Sequence, residues 1–285
     1  MSTPNGDHFR TRTLSERLAG ALPSGAGFAS LRRWLRPLFV KWLASANGGL
    51  QSVLPCGEVV LVSPTYRHIS WNRDEYAAFK AAVRPGDVVL EAGANVGAYT
   101  MLFAQWVGAS GRVFAFEPDP SAYAGLQDHV AMNGVADRVT AVAAAVADGR
   151  DAHVRLAIGE SSGISRIASG GQATSTQTRD VPAVSVDQFC VERGIVPHVI
   201  KIDVEGAEMA VLAGARETIA AAGSALQLFV EMHPHLWPEL GLSADSIRRE
   251  CEAQGLVAEQ LDGSARDLWE TDGICLRLRP GRRRA

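Results

Sequence analysis

From Val53 onward, short apolar runs alternate with stretches whose apolar residues recur at helical spacing. "DVVLEAG" (87–93) precedes "GAYTMLFAQWVG" (97–108), "GRVFAFEP" (111–118) precedes "SAYAGLQDHVAMNG" (121–134), and "RVTAVAAAVAD" covers 138–148. "HVIKIDVEG" (198–206), "AEMAVLAGARETIAAAG" (207–223) and "ALQLFVEMHP" (225–234) repeat the alternation. Strand followed by helix, repeated, predicts a parallel sheet with helices on both faces. The strands are almost unbroken apolar runs, as strands covered on both sides must be.

Two other stretches stand apart. Leu31, Trp34, Leu35, Leu38, Phe39 and Trp42 recur at helical spacing in "LRRWLRPLFVKWL" (31–43), with basic residues interleaved and Pro37 interrupting. The preferred reading is a helix packed on the main domain. The alternative is an interfacial helix at a membrane surface. On this pattern 1–52 form an extension and 53–285 the principal domain. The Gly-, Ser- and Thr-rich run at 159–178 reads as a loop over a substrate site.

The first strand runs into a turn with the pattern Glu91-x-Gly93-x-Asn95-x-Gly97. Gly93 permits a tight turn and a close approach of backbone to ligand, and Gly97 lets the helix start near the strand end. Positions 93, 95 and 98 are Gly, Asn and Ala, so the spacing departs from the G-x-G-x-x-G of dinucleotide-binding turns. The second strand ends at Glu117, twenty residues after Gly97. A carboxylate there can accept hydrogen bonds from both hydroxyls of a ribose. The competing reading is a cap for the helix that begins in "EPDPSAY".

These stretches resemble a known family. "EAGANVGAYT" is similar to the first motif of class I S-adenosylmethionine-dependent methyltransferases, "FAFEPDPSAYAGLQDHVAMN" resembles their second, and "KIDVEGAEMAVLAGA" resembles the signature of the FkbM family within that class. The likeness runs from about Val88 to about His233. It implies a Rossmann-like α/β fold: seven strands, mostly parallel, with one antiparallel edge strand and helices on both faces. It implies S-adenosylmethionine lying across the ends of the first strands, with Glu91 at the methionine amino group, Tyr99 and Thr100 near the methionine end, and Asp148 near the adenine amino group. The family more often carries Asp where Glu91 stands. A plain turn Asp and a packed Tyr are the competing readings of Asp148 and Tyr99.

In that fold "IKIDVEG" is the strand beside the first, and its carboxyl end opens on the methyl group. Asp203 and Glu205 would then face a cationic sulfonium and orient an acceptor hydroxyl. Lys201 shares Asp203's side of the strand and either pairs with an acid or balances buried charge. Glu208 falls in the first turn of the next helix, where negative charge suits the dipole. Glu231 and His233 are two apart, so they share a face, and a neighbouring parallel strand brings them beside Asp203 and Glu205. His233 is the natural base for a hydroxyl proton, with an expected apparent pKa near 6 to 8. The competing reading is a solvated His at a strand end. Asp203, Glu205, Glu231 and His233 could instead hold Mg2+, an alternative that is not favoured.

Composition narrows the choice little further. The chain has 285 residues, 47% of them hydrophobic, and a formal net charge of −3, so nothing suggests a nucleic-acid partner. The four cysteines show no metal-ligand spacing. No apolar run approaches the ~20 residues of a membrane span, no signal-peptide pattern is present, and a cytoplasmic location is the default expectation. The expected function is O-methyl transfer to a hydroxyl of a sugar or secondary metabolite. A nicotinamide-dependent oxidoreductase on a similar sheet is the enzyme alternative. A membrane-associated, non-catalytic binding module is the other.

Overall fold

The structure, a computed structural model, describes residues 8–9, 48–157, 166–167, 178–263 and 268–280. The helix expected over 31–43, most of the 1–52 extension and most of the 159–178 loop lie outside the described residues.

A hairpin of β1 (Leu50–Val53) and β2 (Val59–Val62) precedes helix α1 (Arg73–Ala82). Asn72 caps α1 by accepting from the Asp74 and Glu75 amides, and acidic residues occupy the first turn and Lys80 the last. The alternation read from the sequence follows as β3 (Val88–Ala92), α2 (Ala98–Val107), β4 (Arg112–Phe116), α3 (Pro120–Met132) and β5 (Val139–Val142). The apolar run at 138–148 then breaks: β6 (Ala145–Val146) leaves the main sheet. With β7 (His153–Ala157) and β8 (Thr178–Val184) it forms part of a small second sheet. The chain continues as α4 (Val186–Arg193), β9 (Val199–Ile202), α5 (Glu208–Ala213), α6 (Arg216–Ala222), β10 (Gln227–Met232), α7 (Ala244–Ala253), β11 (Leu256–Gln260) and β12 (Ile274–Pro280).

The main sheet has seven strands in the order β11-β12-β10-β9-β3-β4-β5. Six are parallel and β12 is reversed. The reversed strand lies one place in from the outermost β11, where the sequence reading set it at the edge itself. This is the class I methyltransferase arrangement inferred from the motifs.

Strand parity divides the core in two. Val89, Val113, Val199 and Phe229 pack with Phe79 of α1 and with Met101 and Phe103 of α2. Their neighbours Leu90, Phe114, Ile200 and Leu228 pack on the other face with Phe189, Val211, Ile219 and Ile247. Successive side chains of a strand point to opposite faces, so a strand covered on both sides must be apolar at every position. Glu91 and Lys201 break that rule on the α1–α2 face. They sit side by side in the register of β3 and β9, near the carboxyl ends where ligands bind in such sheets.

Candidate active site

The turn after β3 is built from backbone that few residues tolerate: φ is +81° at Gly93, +50° at Asn95 and +90° at Gly97. A Cβ on Gly93 would stand 1.7 Å from the carbonyl oxygen of Asp203. The glycine is therefore demanded by the neighbouring strand, where the sequence reading invoked a ligand. At Gly97 a Cβ would meet Leu126 of α3, so the helix start is packed as expected. The turn hangs on β4 through the Gly93 and Ala94 amides, both donating to Phe116 O.

Glu117 is not the cap of α3, a place taken by Asp119, and it stands at the edge of a cleft. Its Oε2 accepts from Asn95 N (2.7 Å) and its Oε1 from Asp119 N (2.8 Å), while Asp119 itself caps α3. Each oxygen keeps a second lone pair, and the carboxylate lines an open cleft. Burial pushes its pKa up to about 7, although the two amide bonds favour the charged form. Gly93, Asn95, Asp203 and Glu205 also line this cleft. Its apolar walls include Ala145, Val146 and Leu156, which nothing in the sequence pattern singled out. The strand break after β5 delivers the first two.

Other expected cofactor contacts lie behind this surface. Glu91 is buried beneath the turn and accepts from Thr100 Oγ1 at 2.5 Å; Thr100 is wholly enclosed. Burial pushes the Glu91 pKa up to about 7 against the pull of Lys201. The Tyr99 ring packs edge-on against Phe79, and its hydroxyl accepts from Asn72 N. Packing thus accounts for Tyr99, which stands behind the cleft wall. Asp148 is not brought to the cleft. Its carboxylate accepts from Arg150 N and pairs with the Arg150 guanidinium, as the turn reading had it.

The end of β9 holds the charged cluster. Lys201 Nζ lies 3.0 Å from Asp203 Oδ2 and 5.4 Å from the Tyr99 ring centre, with 2% of the residue exposed. Burial opposes its charge, but Asp203, Glu91, Glu231 and Glu75 outweigh burial and raise its pKa. Lys201 is thus held as a cation, paired with Asp203. Burial likewise opposes ionisation of Asp203, and Lys201 and His233 overcome it, leaving the carboxyl below its ordinary range. Glu205, at φ +50°, and Glu231 have raised pKa values, for which burial is the first cause.

His233 ties these groups together. Nε2 lies 3.6 Å from Glu205, 3.8 Å from Glu231 and 4.0 Å from Asp203. Nδ1 lies 2.7 Å from Glu208 Oε1. Glu208 is fully enclosed and also accepts from Gly206 N and from Trp237 Nε1. Its task therefore exceeds the helix-dipole role assigned from sequence: it fixes which imidazole nitrogen carries the hydrogen and where the ring points. The solvated-histidine reading fails, since His233 is 6% exposed. In the ligand-free protein its pKa lies above the 6 to 8 expected for the rate profile. Burial would lower it, but the Glu208 bond and the charges of Asp203 and Glu205 raise it to about 10. The free enzyme thus carries an imidazolium here at neutral pH.

Residues 91–256 match the model of the methyltransferase FkbM domain. The chain belongs to the FkbM methyltransferase family. A 100-residue stretch is 37% identical to the 31-O-demethyl-FK506 methyltransferase FkbM of Streptomyces tacrolimicus. That stretch is 35% of this chain and 36% of the relative, so the match spans about a third of the relative's length. Among solved structures, the methyltransferase FkbM of Methylobacillus flagellatus is 16% identical with a TM-score of 0.45, over 72% of this chain and 50% of that one. An S-adenosylmethionine-dependent O-methyltransferase of Thermotoga maritima is 13% identical with a TM-score of 0.44, over 83% and 79%. Among the described residues, no helix is long and apolar enough to cross a membrane.

The donor set fits the methyl donor. The cleft edge offers Glu117 with lone pairs for hydroxyls and a surplus of carboxylates for a cation.

Proposed function

We propose that this FkbM-family enzyme methylates a hydroxyl oxygen on a small-molecule or glycan acceptor, of the sugar or secondary-metabolite kind. The observation that carries the reading is the His233–Glu208 pair: one imidazole nitrogen is held by a buried carboxylate and the other is turned to the acids at the cleft edge.

S-adenosylmethionine supplies a methyl group on a cationic sulfur, and the sulfur retains the bonding pair when the methyl leaves. Asp203 and Glu205 set the negative field at the strand end and orient the acceptor. His233 Nε2 takes the hydroxyl proton as the oxygen bonds to the methyl carbon, and Glu208 stabilises the imidazolium that results. His233 must first lose the proton it carries in the free enzyme. Positive charge entering among Asp203, Glu205 and Glu231 lowers its pKa and favours that loss.

His233→Gln tests this. Turnover should fall ~100-fold or more with cofactor affinity little changed, because the loss falls on the transition state. In wild type, kcat/KM should keep rising above neutral pH. Normal turnover by His233→Gln would make His233 a bystander. A second reading has its own observation: Asp203, Glu231 and His233 each offer a ligand atom, all within 4.8 Å of one another. Loss of activity with chelator, restored by Mg2+, would favour a metal-assisted reaction. Tight binding of a nicotinamide cofactor in place of S-adenosylmethionine would overturn both.

A further inference from the structure

Behind the turn that grips the cofactor sits a histidine that the chemistry above does not use. His129, on α3, is 1% exposed. Its Nδ1 lies 2.6 Å from Val96 O, the carbonyl between Asn95 and Gly97. Its Nε2 accepts from Ser63 N at 3.0 Å. A carbonyl can only accept and a backbone amide can only donate, so both partners are satisfied by one form alone, the neutral ring with its hydrogen on Nδ1. Burial, by lowering the pKa, favours that same neutral form.

From these contacts we infer that His129 is a positioning residue for the cofactor: it holds the Gly93–Gly97 turn in its binding conformation from the rear. The inference rests on the reading that S-adenosylmethionine binds at this turn. Three residues of the turn have left-handed backbone, one of them the non-glycine Asn95. Such backbone persists only where its surroundings over-determine it. In front, the turn is held by Phe116 O and Glu117; at the rear, the Val96 carbonyl is held by His129. Ser63 in turn belongs to a segment fastened on α3. The Tyr66 ring stacks edge-on over His129, 5.5 Å between centres, and fills the space a Cβ on Gly125 would need. Asn133 clasps both the amide and the carbonyl of Leu61. His129 therefore has two separable bonds, one to the cofactor turn and one to the segment that covers α3.

Two substitutions separate them. His129→Asn can place its amide nitrogen near the position of Nδ1, keeping a donor for Val96 O and losing Ser63. His129→Gln can place its oxygen near the position of Nε2, keeping an acceptor for Ser63 N and losing Val96. Titration calorimetry with S-adenosylmethionine should give a Kd near wild type for Asn and about tenfold weaker or more for Gln. Turnover at saturating cofactor should stay within about twofold of wild type in both, so the Gln defect appears in KM alone. In the wild type, the Nδ1–H resonance of His129 should shift when S-adenosylmethionine saturates the protein, a readout that needs no variant to fold. Equal Kd values for the two variants, or an Nδ1–H resonance that ignores saturation, would overturn the inference. Failure of the wild type to bind S-adenosylmethionine would instead sink the cofactor reading itself.

Discussion

Glu208→Gln exchanges one oxygen of a fully enclosed carboxylate for an amide nitrogen. Glu208 serves three donors: Gly206 N and His233 Nδ1 on Oε1, and Trp237 Nε1 on Oε2. A glutamine has one acceptor oxygen. If that oxygen keeps Gly206 and His233, the amide nitrogen faces the Trp237 N–H, and two donors meet where 2.8 Å now separates donor from acceptor. A buried donor left unsatisfied costs roughly 1–3 kcal/mol, so the melting temperature should fall by several degrees.

The second effect is electrostatic. A hydrogen bond to a charged partner contributes about 1.5–3 kcal/mol, and a pH unit corresponds to about 1.4 kcal/mol. Removing the Glu208 charge should therefore bring the His233 pKa down by about one to two pH units from its value of about 10. The remainder of the elevation stays, because Asp203 and Glu205 are untouched. The His233 ring protons can be followed by NMR across the pH range, and kcat/KM measured over the same range. If His233 is the base, the limb of the rate profile should move to lower pH by the same amount as the NMR titration. An NMR titration that moves while the rate profile stays put would refute the base assignment. A titration that does not move would refute the electrostatic account of the pair.

Gly93→Ala places a Cβ against Asp203 O and requires φ +81° of an alanine; the β3–β9 pairing must part, and thermal denaturation should show a loss of more than about 3 kcal/mol or no folded protein. Lys201→Met removes the cation paired with Asp203 and leaves that carboxylate and Glu91 uncompensated, which should destabilise by about 3–5 kcal/mol in chemical denaturation; a variant as stable as wild type would show that the acids simply take up protons.

Much of the sheet was legible because its strands are apolar on both faces. The grouping of Asp203, Glu205, Glu231 and His233 followed from strand parity and parallel adjacency. What escaped depends on depth, which sequence does not encode. Glu91 and Thr100 carry the residue types of a cofactor site, yet they lie one layer beneath it. Glu208 looks like an ordinary first-turn acid until Trp237 and His233 are seen closing over it. Asp148 was placed by motif position, but the break between β5 and β6 turns Ala145 and Val146 into the cleft in its stead. His129 and Ser63 are 66 residues apart, and no periodicity links them.

The cluster as a whole makes a claim about binding. Six carboxyl groups, Glu91, Glu117, Asp203, Glu205, Glu208 and Glu231, gather near two basic side chains, Lys201 and His233. The pKa values of Glu91, Glu117, Glu205 and Glu231 are all raised, and burial is the leading cause each time. Each of these groups gives up its proton at a higher pH than an exposed carboxyl would. A cationic ligand entering the cleft favours their charged forms, and the same positive field discourages the imidazolium of His233. Both effects expel protons, so the complex binds fewer than the free enzyme does. By linkage, affinity for S-adenosylmethionine should rise with pH through about 7, where Glu117 and Glu91 titrate. Calorimetry near pH 7 in phosphate and in Tris should differ in apparent heat, since the released protons ionise each buffer with a different enthalpy. Glu117→Gln should reduce that difference and weaken binding by about 1–3 kcal/mol. Identical heats in the two buffers, or an affinity that falls as pH rises, would refute net proton release from these carboxyl groups on binding.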